Sequence, residues 1–200
     1  KLNVKVDFRT PIYRKFFSVE EQNNWFIAAD KPNLSPFLST EIIKYNYPWI
    51  ESPFGYCEVL QTGYVDTALL LDVYHKYLEQ INSLRKETFN YKTIEFFEDY
   101  IQYDNLKAKK IVFAEGFGMH SNPFFNYLPL DGTKGELFII KAPDLKIDVI
   151  INTSVFILPL GNDLFKVGAT YNWKDKTDLP TVEGKQELVE RIKEIINCEF

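Results

Sequence analysis

Ile111-Val112-Phe113-Ala114-Glu115-Gly116 opens the stretch that decides the fold; Pro129-Leu130, Lys134-Gly135-Glu136-Leu137, Ile157-Leu158-Pro159 and Val167-Gly168-Ala169-Thr170 follow in order. Ile111 to Ala114 holds no polar residue and closes on a glycine, the pattern of a central parallel strand buried on both faces. Beyond Gly132 the pattern becomes that of antiparallel strands, over 136–141, 147–152, 155–158 and 164–167. Gly161-Asn162-Asp163 supplies the turn between the last two, because these residue types tolerate positive φ. After a further turn at Thr177 to Pro180, Leu188, Val189, Ile192, Ile195 and Ile196 recur at helical spacing and predict a final helix over 184–197.

Working back toward the start, Asp66 caps the most regular helix, whose apolar face carries Leu69, Leu70, Val73, Tyr74, Tyr77, Leu78 and Ile81. A helix of this kind is expected to cover a sheet. Short strands are expected over 87–91 and 100–103, with 93–98 ambiguous between helix and strand. Alternation of Leu2, Val4, Val6 and Phe8 with polar residues predicts a half-buried strand ended by Pro11, and 12–17 predicts another. Ser18 and Glu21 have capping-box spacing for a helix to about Ala29, and a short helix is expected over 40–45. Prolines and aromatics alternate from Tyr47 to Phe54; an apolar loop packed on the sheet is preferred there to a lid over a substrate entrance. Helices with a largely antiparallel sheet make the fold class α+β.

Composition narrows the function. A chain of 200 residues, 46% hydrophobic and 26% charged, buries a core as one domain or two closely joined pieces. Its net charge of -5 offers no basic face for a phosphate backbone, so nucleic acid is not expected as a partner. No apolar run has the length of a membrane span. Cys57 and Cys198 are far apart in a chain large enough to need no disulfide, so reduced thiols and a cytoplasmic location are expected. The start at Lys1-Leu2-Asn3-Val4, without an initiator Met, reads as the boundary of a segment cut from a longer polypeptide.

Taken together, Ala114-Glu115-Gly116, Pro129-Leu130, Gly135-Glu136, Phe156-Ile157-Leu158-Pro159 and Gly168-Ala169-Thr170-Tyr171 resemble the middle of the FAD-dependent oxidoreductases of the D-amino-acid oxidase and glycine oxidase kind. The resemblance covers most of the chain and is more specific after Gly63. It implies a largely antiparallel substrate-domain sheet with flanking helices, joined to a fragment of an FAD-binding α/β domain. The implied division is residues 1–62 and 123–200 for the substrate domain, with 63–122 adjoining the FAD domain. No G-x-G-x-x-G occurs, so the turn that grips the cofactor's pyrophosphate is expected outside this sequence.

By the same resemblance Ala114, Glu115 and Gly116 face FAD, and Phe156 and Tyr171 face a small-molecule amine or amino acid substrate. Some relatives carry a tyrosine where Phe156 stands, and phenylalanine cannot donate that hydroxyl to a carboxylate. The arginine that clamps a carboxylate in such enzymes belongs to a C-terminal motif that these residues do not include. No catalytic residue emerges from the sequence. His75, His120 and Cys57 lack metal-ligand spacing, so no metal is expected, and Ser121 and Ser154 lack the setting of an activated nucleophile. Glu51 and Glu58 have no spacing that makes them a carboxylate pair. The alternative function is a separate α+β binding module presenting the Tyr47 to Phe54 aromatics to a sugar or peptide.

Overall fold

A computed structural model of the chain describes residues 4–200. Its elements, in order, are β1 (Asp7–Arg9), β2 (Ile12–Lys15), α1 (Val19–Ala29), β3 (Tyr56–Val59), β4 (Gly63–Val65), α2 (Thr67–Gln80), β5 (Ile94–Phe96), β6 (Ile101–Tyr103) and β7 (Leu106–Ala108). There follow β8 (Leu137–Lys141), β9 (Ile150–Asn152), β10 (Phe156–Gly161), β11 (Leu164–Gly168) and α3 (Val182–Lys193). The fold is α+β.

A six-stranded sheet in the order β3-β2-β9-β10-β11-β8 forms the body. Its pairs are antiparallel except β2 with β9, which run parallel. The sheet therefore joins two early strands to four late ones. On one face Tyr56, Ile140, Ile151, Ile157, Phe165 and Val167 pack in one cluster with Leu188 and Ile192 of α3 and with Ile195 and Ile196 just after it. Each such side chain contributes roughly 1.5–3 kcal/mol when fully buried. The turn between β10 and β11 places Asn162 at φ 53° and Asp163 at φ 59°, the left-handed region those two residues enter at least cost.

Both expected caps form. Ser18 Oγ accepts from Glu21 N at 3.1 Å, and Asp66 Oδ1 accepts from Leu69 N at 2.9 Å. Glu21 reaches back one residue further than a capping box requires, accepting from Phe17 N. The aromatic loop behaves as packing: Tyr47 and Ile50 are buried in the core, while Asn197, just past α3, donates its backbone N–H to Trp49 O.

Several expectations are corrected. The apolar run Ile111 to Ala114 is not a strand; it pairs with no strand among the described residues, and Val112 is 86% exposed. An apolar run becomes a strand only where a ladder satisfies its backbone, and none is offered here. Among the described residues α2 covers no sheet: it has no buried residue, and Tyr74, Tyr77 and Ile81 of its apolar face are exposed. The segment 40–45 is extended instead of helical, because Ile43 exchanges backbone hydrogen bonds with Tyr56 alongside β3. No strand forms over 87–91; a 3₁₀ turn at Tyr91–Thr93 leads into β5, which pairs with β6 and β7 in a separate three-stranded meander. The first strand is confined to β1, paired with β4, and the Leu2 end of that expectation lies outside the described residues.

Candidate functional site

Register across the large sheet aligns residues from all six strands. Cys57 pairs with Arg14, Arg14 with Asn152, Asn152 with Phe156, Phe156 with Gly168, and Gly168 with Leu137. Paired residues project to the same side of a sheet, so this row lies on the face opposite the α3 core. At one end Cys57 is fully buried; at the other Leu137 and Ile139, two residues on, are exposed. The open half of the face is thus built around Phe156.

Phe156 is half-buried, with its ring over Gly168. A Cβ on that glycine would stand 3.1 Å from two ring atoms and 3.0 Å from Leu137 Cβ, so only glycine leaves room for the ring. Tyr171 does not join the row. It follows the end of β11 and is 72% exposed, beside a bridge between Lys134 and Asn172.

Ala114 and Gly116 are exposed, and Glu115 is half-buried. The Glu115 carboxylate accepts from the Tyr91 hydroxyl and, at 2.7 Å, from Nδ2 of the fully buried Asn122. Bonding to Glu115 pushes the Tyr91 hydroxyl pKa above its ordinary value, since ionisation would remove the donated proton and set two negative charges together. Gly116 has φ 55° and nothing within 4 Å of where a Cβ would stand. Its backbone is free to approach a flat ligand from outside.

Beside Leu137 lies a cavity of about 530 Å³, formed between residues 132–137 and 175–180. Lys134 is among its lining residues, with Nζ donating to Asp175 Oδ2 at 2.6 Å, to Thr177 Oγ1 at 3.2 Å and to Leu179 O, and with Glu136 Oε1 at 3.5 Å. Lys134 holds Asp175 down to a pKa of about 2, helped by the Thr177 backbone N–H, and is itself pushed upward chiefly by Asp175. Glu136 accepts from Thr181 N at 2.7 Å and from Thr181 Oγ1 at 2.8 Å, which lowers its pKa and ties β8 to the start of α3. With its donors engaged, Lys134 is a tether joining the segment that enters β8 to the 175–179 loop. Nothing in the sequence pattern marks Lys134 as finding partners forty residues on.

The isolated candidates remain apart. His75 and His120 are exposed, and His120 rests against the Phe117 ring with centroids 4.9 Å apart. Among the described residues no three His, Cys, Asp or Glu side chains cluster to hold a metal. Cys57 and Cys198 are free thiols, and burial pushes Cys57 up to a pKa of about 11. No helix is long and apolar enough to cross a membrane among the described residues. Sequence reading did not single out Arg14. Only the parallel pairing of β2 with β9 brings it into the Phe156 row.

No family model matches the chain. A methionine–tRNA ligase from Herminiimonas arsenicoxydans is 29% identical over 100 residues, which is 49% of this chain and 14% of that protein. Among solved structures, glycine oxidase from Bacillus cereus ATCC 14579 superposes on all of this chain with a TM-score of 0.70 at 18% identity. The chain spans 61% of the length of that structure. The likeness is one of fold.

Proposed function

We infer that this chain is the substrate-binding portion of an FAD-dependent oxidoreductase that oxidises an amine or amino acid. The observation that carries the reading is the open sheet face centred on Phe156 and Gly168, in a fold like that of a glycine oxidase. Aromatic cover over a glycine gives a smooth apolar wall, suited to a small substrate held against a planar cofactor. In this reading residues 1–62 and 123–200, which include the six strands of the large sheet, belong to the substrate domain, and 63–122, which includes α2 and the small meander, is the part assigned to the cofactor-domain side.

The residues present fit such a cofactor in one respect. Gly116 offers exposed backbone with open space on its Cβ side, beside Ala114 and the hydrogen-bonded Glu115. Held beside Ala114, Glu115 and Gly116, FAD would supply a hydride acceptor for the amine-bearing carbon. The protein's part is to orient the substrate, with Phe156 and Tyr171 shaping the space, and to exclude water. These 200 residues hold no Gly-rich dinucleotide turn with which to grip the pyrophosphate.

The test is to express this chain alone and, where its gene reads on beyond these 200 residues, within the longer polypeptide. The 200-residue chain is expected to purify colourless. The longer form is expected to carry stoichiometric FAD that small amines or amino acids bleach anaerobically. A longer form that binds no flavin, or whose flavin no amine reduces, removes this function.

A further inference from the structure

We propose that Arg14 is an anion anchor of the Phe156 face and that the ligand received there is a small molecule bearing a carboxylate. The proposal rests on reading that face as the substrate side, and it assigns the anchor to this chain's own second strand.

Arg14 and Phe156 are separated in the row by Asn152 alone. Neighbouring strands lie about 4.8 Å apart, so the two backbones are about 10 Å apart on one face of the sheet. The guanidinium leans from β2 toward the Phe156 side: Nη1 donates to Asn152 Oδ1 at 3.3 Å and to Thr153 O at 2.9 Å. These two acceptors fix the plane of the fork by one nitrogen. Among the described residues, Nε and Nη2 make no hydrogen bond.

The nearest carboxylate does not occupy them. Glu21 Oε1 stands 3.9 Å from Nη2, beyond hydrogen-bonding range, because Glu21 is held at the start of α1, where Oε2 accepts from Phe17 N at 3.0 Å. The Arg14 side chain keeps 30% of its surface open. A guanidinium held through one nitrogen, with Nε unbonded and Nη2 paired with Glu21 only at 3.9 Å, presents a preorganised edge that a carboxylate can meet with two parallel bonds. Next along the row come the Phe156 ring, Gly168 and Leu137, all without charge. The face therefore suits a ligand with its charge at one end and a compact apolar part at the other.

The probe is phenylacetate, with the equally sized but uncharged phenylacetamide as its control. Each is titrated into the isotope-labelled 200-residue chain while backbone amide signals are followed. Phenylacetate is expected to give saturable shifts at Arg14, Asn152, Phe156 and Gly168, with phenylacetamide at least about ten-fold weaker, the scale of losing a charge-assisted bond. Arg14→Gln should bring phenylacetate down to the level of the amide. Arg14→Lys keeps the charge without the fork and should fall between the two, so it decides the matter if Arg14→Gln does not fold. Equal binding of the two probes, no saturable shift, or full phenylacetate affinity in either folded variant overturns the role of Arg14. Failure of the oxidoreductase reading is seen separately, as flavin that amines do not reduce, because the titration needs neither flavin nor turnover.

Discussion

Phe156 and Gly168 face one another across β10 and β11, and the ring covers the glycine so closely that an added Cβ would meet Cε1 and Cζ at 3.1 Å. Gly168→Ala must then move the ring or the strand. Overpacking of this kind costs about 1–3 kcal/mol. Denaturant unfolding should register that loss, and the Phe156 ring signals should shift in the folded variant. An unchanged midpoint would mean that the ring already has other space to occupy.

Thr181 ties two elements together. Its Oγ1 accepts from Gly184 N at 3.0 Å as the cap of α3 and donates to Glu136 Oε1 on the segment entering β8. Thr181→Ala removes both bonds, while its backbone N–H still reaches Glu136. The loss of a cap of this type is about 1 kcal/mol. A thermal midpoint lowered by a few degrees, with hydrogen exchange quickened in the first turn of α3 before the sheet, is the expected result.

The Lys134–Asp175 tether sets a pH window. Asp175 titrates at about 2 in the folded chain against an ordinary 3.8, so its contribution is present above pH 3.8 and is lost as pH falls toward 2. Lys134 is raised above its ordinary 10.5, so its contribution is complete below pH 10.5 and fades only as pH rises through the folded value. Between those limits the tether gives no slope. Wild type should therefore lose stability below pH 4 more steeply than Asp175→Asn, and the two curves should run parallel from pH 5 to 9. Parallel curves below pH 4 as well would show that the tether does not form in solution.

The order of legibility follows from how far apart the partners lie. β8, β10, β11 and α3 are legible because each carries its own periodic pattern and the hairpin has a turn of suitable residues. Ile111 to Ala114 has the composition of a buried strand, yet a strand exists only through its neighbours, and no neighbour stands beside it. α2 likewise shows an apolar stripe that the described residues leave uncovered. Phe156 was singled out by resemblance, whereas Arg14 was not. Its hydrogen bond to Asn152 spans 138 positions, and only sheet register reveals that the two share a row.

Tyr171, at 72% exposure, contributes little to the core. Tyr171→Ala should leave stability within about 0.5 kcal/mol of wild type, as surface substitutions do. If its ring shapes the substrate space, the longer flavin-bearing form should still lose turnover on the amine that reduces it. Unchanged turnover would return Tyr171 to the surface, and a large fall in the thermal midpoint would show packing that the exposure does not indicate.

Gly116 separates a backbone requirement from a cofactor contact. At φ 55° a β-branched residue is strained, a cost of about 1–3 kcal/mol, whereas asparagine enters the same region readily. No atom lies within 4 Å of the Cβ position, so neither side chain meets a clash within this chain. Gly116→Val should therefore lower the thermal midpoint of the 200-residue chain clearly and Gly116→Asn only slightly. In the longer polypeptide both should lower FAD content, because either side chain fills the space through which backbone would meet the cofactor. Full FAD content in a stable Gly116→Asn protein would leave Gly116 a turn residue and remove Ala114-Glu115-Gly116 from the cofactor site.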